Sequence, residues 1–294
     1  MYNVSFPKMG LEFQISPIAF SIGSFKIHWY GIIIACGLVL AMIYAYFSAK
    51  RFNVDRNKLF DCVLVGIVTG IVGARAYYIL FKLDYYIVHP DEIIMINNGG
   101  LAIYGGIIGA FLGGCITAKI LKVKILPILD IAVLGFLIGQ GIGRWGNFFN
   151  QEAFGTPTDL PWGMVSETTA SKAVHPCFLY ESLWCLLGFV LLHFLSKRYQ
   201  KYAGQVFYAY MVWYGFERMI VEGLRTDSLY LPFGLFGYDL RVSQILSALI
   251  FVAGIVLLII NRKRKDSFYE NYRRKNGIGS GKGKRKKGNR KAKS

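Results

Sequence analysis

Long apolar stretches alternate with short polar connections along most of this chain, from about residue 28 to residue 261. Each stretch is longer than a strand or an ordinary core helix needs, and about 20 apolar residues in a helix are enough to cross a bilayer. The pattern predicts an all-α, polytopic integral membrane protein with about seven transmembrane helices. We place these helices at 28–49, 59–81, 101–121, 126–144, 177–195, 205–222 and 242–261.

The composition of the chain agrees with a membrane protein. Hydrophobic residues make up 54% of the 294 positions, and the mean hydropathy is +0.40. An ordinary soluble domain is far less apolar, so that class is excluded. The five cysteines show no CxxC spacing and lie mostly within apolar stretches, which is typical of small packing residues. We therefore expect no disulfide, no metal and no other cofactor.

The basic residues are distributed unevenly between the two sides of the predicted bundle. The formal net charge is +17, and the connections after the first, third and fifth predicted helices are rich in Lys and Arg, as is the tail. The other connections carry few basic residues. Because Lys and Arg accumulate on the cytoplasmic side of membrane proteins, this asymmetry predicts an N-terminus outside the cell and a cytoplasmic C-terminus.

The end of the chain differs in composition from the rest. From Arg262 onward there are 15 Lys and Arg residues against two acids, with many glycines and almost no aliphatic side chains. Such a composition predicts disorder. We therefore divide the chain into a transmembrane domain at 1–261 and a basic, disordered cytoplasmic tail at 262–294. A basic run directly after a membrane span favours contact with anionic membrane lipid, and we expect no nucleic-acid partner.

The strongest candidate for a functional motif is the sequence GRWGNFFNQEAFG, which ends a long apolar stretch. It brings Arg144, Asn147, Asn150 and Glu152 together within nine residues. Charged and amide groups at membrane depth are expensive and usually mark a functional site. A cation beside carboxamides is also suited to hold an anionic head group. The motif therefore predicts a binding site for an anionic group at the outer face of the membrane.

A second polar motif, YGFERMIVEGLR, lies in the sixth predicted helix. Its residues Tyr214, Arg218, Glu222 and Arg225 are spaced by four, four and three positions, so a continuous helix places them on one face. Two arginines and one carboxylate leave this stripe with a net positive charge. The alternative is an arginine that reaches the interface beside an ordinary helical ion pair. Glu217 lies off the stripe, and we expect an interhelical partner for it.

Other polar side chains lie near the outer ends of the remaining predicted helices. The sequence HPCFLYE starts the fifth helix, and its glutamate, Glu181, requires a partner inside a membrane. Trp and Tyr at the end of a span are ordinarily interfacial anchors, and a single His is often structural. Against these alternatives, we include in the candidate site His28, Tyr30, Arg75, Tyr104 and His175.

Four arginines approach the same predicted level of the membrane, namely Arg75, Arg144, Arg218 and Arg225. A phosphate would neutralise them. The sequence contains no Ser-His-Asp order, metal-ligand cluster or Walker-type loop, which argues against a covalent intermediate, a metal hydrolase and an ATPase. Three classes stay open on these residues: a lipid-modifying transferase with a protein acceptor, one with a sugar or lipid acceptor, and a transporter or channel for an anionic solute.

The motifs together resemble the bacterial prolipoprotein diacylglyceryl transferase family. The long motif matches the family signature, and HWYG, HPCFLYE and YGFERMIVEGLR are similar to its other marks and follow in the expected order. The resemblance implies transfer of the diacylglyceryl group from phosphatidylglycerol to the lipobox cysteine of a preprolipoprotein signal peptide. It also implies a thioether and glycerol phosphate as products. The expected location is the bacterial plasma membrane, with the active site toward the outer leaflet.

The resemblance also suggests roles for individual residues. The substrate cysteine supplies the nucleophile, so no enzyme cysteine is required. Many members carry a histidine where this chain has Tyr104, which leaves the base open between Tyr104, His28, His175 and a carboxylate. We predict as catalytic Arg144, Arg218, Tyr104 and Glu152. We predict as substrate-binding Asn147, Asn150, Tyr30, His28, Arg75, Tyr214, Glu222, Arg225 and His175.

Overall fold

Helices dominate the structure. The computed structural model describes residues 1–95, 99–227, 230 and 241–277. Its α-helices are α1 (Trp29–Ser48), α2 (Arg56–Leu80), α3 (Leu83–Val88), α4 (Ile103–Ile120), α5 (Ile125–Asn150), α6 (Cys177–Arg198), α7 (Gln205–Leu224), α8 (Val242–Ile260) and α9 (Ser267–Lys275). The predicted spans therefore correspond to α1, α2 and α4–α8, with ends that differ by a few residues.

Six of these helices, α1, α2, α4, α5, α6 and α8, are long and apolar enough to cross a membrane. The prediction of a helical, polytopic membrane protein is confirmed at this level. Helix α7 has 20 residues, but every 18-residue stretch of it contains Glu217, Arg218 and Glu222. Its composition alone therefore does not establish a seventh span, and the orientation of the termini likewise stays a prediction.

Five short strands were not anticipated by the all-α prediction. Strands β1 (Tyr2–Phe6), β2 (Leu11–Ile15) and β5 (Val165–Ser166) form one antiparallel sheet, with β1 in the centre. Strands β3 (Ile18–Ile22) and β4 (Phe25–His28) form a hairpin that leads directly into α1. Strands of two to five residues give only a weak alternating pattern, which explains why the sequence did not reveal them.

The helices pack in pairs, with α1 against α5, α2 against α4, α5 against α6 and α7 against α8. The α2–α4 pair depends on glycine. A Cβ atom at Gly73 would collide with the carbonyl oxygen of Gly105, and one at Gly109 would collide with that of Thr69. Small residues of this kind allow two backbones to approach closely within a membrane. This close contact pairs α2 with α4, and α4 also touches α5.

The tail differs from its prediction over part of its length. Residues Ser267–Lys275 form α9, whereas the composition predicted disorder from 262 onward. Tyr269 is 3% exposed and packs into the main apolar core with Phe268 beside it. Composition averages hid these two aromatic side chains among the basic residues. The more strongly basic stretch at 278–294 lies outside the described residues.

Candidate active site

Three helices bring the main polar side chains to one end of the bundle. Helix α5 ends at Asn150 and α6 begins at Cys177, and we call this end the site end. Arg144 lies two turns before the end of α5, Glu181 lies in the second turn of α6, and Arg218 lies near the end of α7. Because α5 and α6 are packed against each other, residues from their facing turns can meet there.

Glu181 is the centre of the candidate site. Its side chain is 2% exposed, and its Oε2 atom forms an ion pair with the guanidinium of Arg144. The same oxygen lies 3.3 Å from Nη1 of Arg218, and Oε1 lies 3.6 Å from Nη1 of Arg225. Three guanidinium groups from different segments therefore converge on one buried carboxylate. A carboxylate held in this way is a structural counter-ion for the arginines.

The arginines have further acidic partners. Nη2 of Arg218 lies 2.5 Å from Oε2 of Glu222, one turn later on α7. Arg225 donates from Nε and Nη2 to the two oxygens of Asp227, at 2.9 and 2.7 Å. This bidentate contact holds the pKa of the Asp227 carboxyl below its usual value. The net positive charge predicted for the α7 stripe is thus offset by Glu181 and Asp227, two carboxylates that lie off the stripe.

The arginines stay partly accessible although two of their partners, Glu181 and Glu222, are buried. The side chains of Arg144, Arg218 and Arg225 are 23%, 14% and 13% exposed, against 2% for Glu181 and Glu222. A guanidinium has five N–H donors, so a single carboxylate contact leaves several of them for another acceptor. This arrangement presents donors to the surroundings while Glu181 and Glu222 stay inside, and Asp227 is half-exposed beside Arg225. Chemically, it can hold an incoming anion.

The long sequence motif folds back on itself at the site end. Nδ2 of Asn147 and Nδ2 of Asn150 both donate to Oε1 of Glu152, at 2.9 and 3.3 Å. Gln151 and Ala153 adopt positive φ angles of 53° and 58°, which turn the chain sharply after α5. The two asparagines therefore orient Glu152, which is itself exposed. Three of the motif residues predicted from the sequence therefore lie in contact, while the fourth, Arg144, pairs with Glu181.

The closing glycine of the motif links it to the end of α7. Gly155 N–H donates to the carbonyl oxygen of His175, and Thr156 N–H donates to that of Leu224. A Cβ atom at Gly155 would lie 2.7 Å from Cβ of His175, so no larger residue fits without rearrangement. His175 Nδ1 lies 3.2 Å from the hydroxyl of Tyr180. The segment therefore places His175 beside the residues that lead into Arg225.

The first-helix motif packs on the same part of α5. A Cβ atom at Gly146 would lie 2.7 Å from Cδ2 of Tyr30, so the Tyr30 ring covers this glycine. Trp29 stacks on Phe149 with ring centroids 5.4 Å apart. His28 is the exposed last residue of β4 and precedes α1. In α7, Tyr214 stacks on Tyr210, with ring centroids 5.6 Å apart.

Two predicted site residues lie apart from the cluster around Glu181. Arg75 is 8% exposed and donates to the carbonyl oxygens of Glu92, Ile93, Gly99 and Gly100 at 2.6 to 3.0 Å. It therefore stabilises the connection between α2 and α4, and the four arginines predicted at one level divide into a group of three and a separate one.

Tyr104 lies at the start of α4, and its hydroxyl is 3.5 Å from Oγ of Ser243 in α8. No contact within the described residues joins it to the three arginines. The structure therefore places the Tyr104 side chain between α4 and α8. It lies at the site end of the bundle but outside the arginine cluster.

Sequence reasoning did not assign three residues that complete the site. Glu181 was noted as needing a partner, yet nothing in the sequence indicated that three arginines would share it. Asp227 and Arg241 flank a connection at 228–240 that is largely outside the described residues. Arg241 Nη1 donates to the carbonyl oxygen of Glu222. A fold-level contact of this kind leaves no local signal in the sequence.

Within the described part of the chain, no group of three His, Cys, Asp or Glu residues is placed to hold a metal ion. The site is instead a set of guanidinium groups around a buried carboxylate, at one end of a helical membrane protein. These features define the class of the protein as a helical, polytopic membrane protein in which a cluster of arginines presents hydrogen-bond donors at one end of the bundle.

Comparisons with known proteins are more specific. The family described as prolipoprotein diacylglyceryl transferase matches residues 17–260. A relative from Finegoldia magna, named phosphatidylglycerol–prolipoprotein diacylglyceryl transferase, is 47% identical over 84% of this chain and 96% of its own. Relatives of the same name from Pediococcus pentosaceus and Limosilactobacillus reuteri are 42% and 40% identical, over 85% and 91% of this chain and 91% and 98% of theirs. The chain belongs to the prolipoprotein diacylglyceryl transferase family.

Proposed function

We propose that this protein transfers the diacylglyceryl group of phosphatidylglycerol to the lipobox cysteine of preprolipoproteins, and that the arginines around Glu181 hold the phosphate. Family membership supports the reaction. The proposed position of the phosphate site is supported by one observation: three arginines converge on one buried carboxylate, namely Arg144, Arg218 and Arg225. Partly exposed guanidinium groups suit the phosphate of an anionic lipid.

We also propose seven spans in the bacterial plasma membrane, with the site end toward the outer leaflet. The connections between α1 and α2, α4 and α5, and α6 and α7 carry most of the basic loop residues, and they lie at the opposite end from Arg144. This distribution supports a cytoplasmic location for that end and for the C-terminus. The charges of α7 do not argue against a span, because Arg218 is paired with both Glu181 and Glu222.

The basic tail fits the same orientation. Arg273, Arg274 and Lys275 form the last turn of α9, which is docked to the core by Tyr269. A docked helix with a basic end lies where it can contact anionic head groups of the cytoplasmic leaflet, and about 1 kcal/mol per Lys or Arg is typical for such contacts. We propose this lipid contact as the role of the basic end.

The chemistry follows from the substrates. The cysteine sulfur forms a bond to the carbon of the diacylglyceryl group that carries the phosphate ester. The bond between that carbon and the ester oxygen breaks. The electron pair leaves with glycerol phosphate, and the thiol proton passes to a base. Free thiols have a pKa of about 8.5, and nearby cations favour the thiolate. The guanidinium groups thus assist both the nucleophile and the departing phosphate.

Arg144 and Arg218 are the groups that we assign to the leaving phosphate. Charge grows on this phosphate as the bond breaks, and donors that are already in place stabilise the transition state more than the bound lipid. Glu181 keeps the two guanidinium groups together without an incoming lipid. Asn147 and Asn150 lie on the same end and present amides for head-group hydroxyls, with Glu152 between them.

Tyr104 is proposed as a polar group of the reaction rather than as an interfacial anchor. Replacing it with phenylalanine removes only the hydroxyl, and we expect kcat to fall by about 100-fold, as for the loss of a general acid or base. Tyr104→His provides a titratable side chain, the residue that many family members carry there, and is expected to remain active. The measurement is the initial rate of peptide lipidation in proteoliposomes. Equal rates for all three proteins would show that the hydroxyl is not used, and the base would be sought at His28, His175 or Glu152.

The reaction itself is tested with purified protein in vesicles that contain phosphatidylglycerol. A peptide with a lipobox cysteine is expected to gain the mass of one diacylglyceryl group, while the matched peptide with Cys→Ser gains none. Mass analysis of all products also detects a sugar or lipid acceptor. A folded protein that modifies no acceptor but moves anions across the vesicle membrane would replace the proposal with a transporter.

A further inference from the structure

A buried carboxylate far from the arginines ties α7 to α5. Asp130 lies in the second turn of α5 and is fully buried, with an exposed fraction of 0%. Its Oδ2 atom accepts from the backbone N–H of Gly204 at 2.7 Å and from Nε2 of Gln200 at 2.8 Å. Its Oδ1 atom accepts from the backbone N–H of Phe207 at 2.8 Å. All three donors belong to the start of α7 or to the connection before it.

The start of α7 is well suited to this carboxylate. The first N–H groups of a helix have no partner within the helix, and they carry the positive end of the helix dipole. No side chain of the residue before α7 caps it, because that residue is Gly204, with φ of 94°. Asp130 supplies the missing acceptor from a neighbouring helix. The contact therefore fixes the start of α7 at one height along α5.

The spacing above this contact is the same on both helices. Arg144 follows Asp130 by 14 residues, and Arg218 follows Gly204 by 14 residues. At 1.5 Å per residue, both intervals rise about 21 Å. The two helices run in the same direction, and both stay helical over these intervals. Both arginines consequently reach the same level, where each contacts Oε2 of Glu181.

We infer that Asp130 is a positioning residue for the transfer reaction: it sets the height of α7 relative to α5, and thereby the relative placement of Arg144 and Arg218. Asp130 does not touch the substrate in this proposal. It acts through the two arginines, so the inference rests on their proposed role in phosphate stabilisation. A shift of one residue would move Arg218 by about 1.5 Å along the helix axis, and displacements of about that size can lower a rate by 100-fold.

Helix α9 protects this contact. Tyr269 packs in the same core as Ile131, the neighbour of Asp130, and as Ala203 and Val206 at the start of α7. The backbone N–H of Asp266 donates to the carbonyl oxygen of Lys201 at 2.9 Å, which joins α9 to the connection before α7. Excluding water strengthens hydrogen bonds to a carboxylate. The tail helix thus helps to keep the α5–α7 contact in one geometry.

The test uses the full-length protein in vesicles and the substitution Asp130→Asn, which keeps the size of the side chain but removes its charge. The amide NH2 of Asn takes the place of one acceptor oxygen. It then faces an N–H donor and cannot accept a hydrogen bond from it, so the contact is weakened. We expect kcat to fall about tenfold, the effect of losing roughly one charge-assisted hydrogen bond. The control is Leu59→Ala, which removes buried apolar contacts of α2, outside α5 and α7, and should lower thermal stability without changing kcat of the folded fraction.

A double-variant cycle separates positioning from general stability. If Asp130 acts through Arg218, Asp130→Asn should lower kcat by less than about twofold in an Arg218→Ala background, because the guanidinium whose placement it protects is already absent. Losses that multiply, or an Asp130→Asn protein with kcat within about twofold of the original, would overturn the inference. If Asp130→Asn does not fold, Gln200→Ala removes one of the three donors and must show the same non-additivity. Full activity of Arg218→Lys and Arg218→Ala would instead contradict the proposed phosphate site.

Discussion

Arg218→Ala is expected to lower kcat for lipidation by about 100-fold to 1,000-fold, the usual effect of removing one preorganised donor from a developing negative charge. The change removes both the ion pair with Glu222 and the contact with Glu181. Arg144→Ala should have an effect of similar size, since its guanidinium pairs with the same carboxylate. The measurement is the single-turnover rate of thioether formation with saturating phosphatidylglycerol.

Arg218→Lys provides the matched control for charge. An ammonium keeps the positive charge but lacks the planar fork that reaches two acceptors at once. Its rate should therefore lie between those of the original protein and the alanine variant. Arg198→Ala, at the opposite end of the bundle, controls for the loss of an arginine elsewhere and should leave the rate unchanged. An Arg218→Ala protein with the original rate would place the phosphate in another part of the molecule.

The sequence predicted the parts of this molecule that depend on local patterns. Long apolar stretches predicted the helices, because the thickness of a bilayer sets their length. The four-residue spacing of Arg218 and Glu222 predicted that they share one helix face, and in the structure Nη2 of Arg218 lies 2.5 Å from Oε2 of Glu222. Asn147, Asn150 and Glu152 were predicted to belong to one site because they lie close together in the sequence, and both asparagines donate to Glu152.

Contacts between distant segments could not be predicted in the same way. Glu181 contacts three arginines, which come from α5, from α7 and from the segment after α7. Each arginine lies more than 30 positions from Glu181 along the chain. Arg75 looked like a fourth member, because its depth in the membrane matched. Only the fold showed that it bonds to carbonyl oxygens of its own connection. The sequence indicates how deep a residue lies in the membrane, but it does not indicate on which side of the helical bundle that residue lies.

The strands and α9 were missed in the sequence for a different reason: each of these elements is short. The strands β1–β5 contain five residues or fewer each, so their alternating pattern is brief. In α9, Phe268 and Tyr269 supply the packing within a strongly basic segment. A composition argument averages over such a segment and predicts disorder, although two well-placed aromatic side chains are enough to dock one short helix.

Glu181→Ala is expected to have the largest combined effect on stability and activity. Removing one partner of a buried ion pair typically costs about 3–5 kcal/mol, because the remaining charge is left without compensation. Here Arg144, Arg218 and Arg225 would lose a shared carboxylate, although Arg218 and Arg225 keep other acidic partners. We therefore expect a clearly lower thermal unfolding temperature and an almost complete loss of lipidation.

Glu181→Gln separates the two effects. The amide keeps the size of the side chain and one acceptor oxygen, so the protein should fold while its arginines spread apart, and kcat should fall by about 100-fold. Glu217→Gln is the matched control: this carboxyl also lies buried in the bundle, but within the described residues its Oε1 atom has no hydrogen-bond partner. It should retain most of the rate. A Glu181→Gln protein as active as Glu217→Gln would show that Glu181 does not organise the arginines for catalysis.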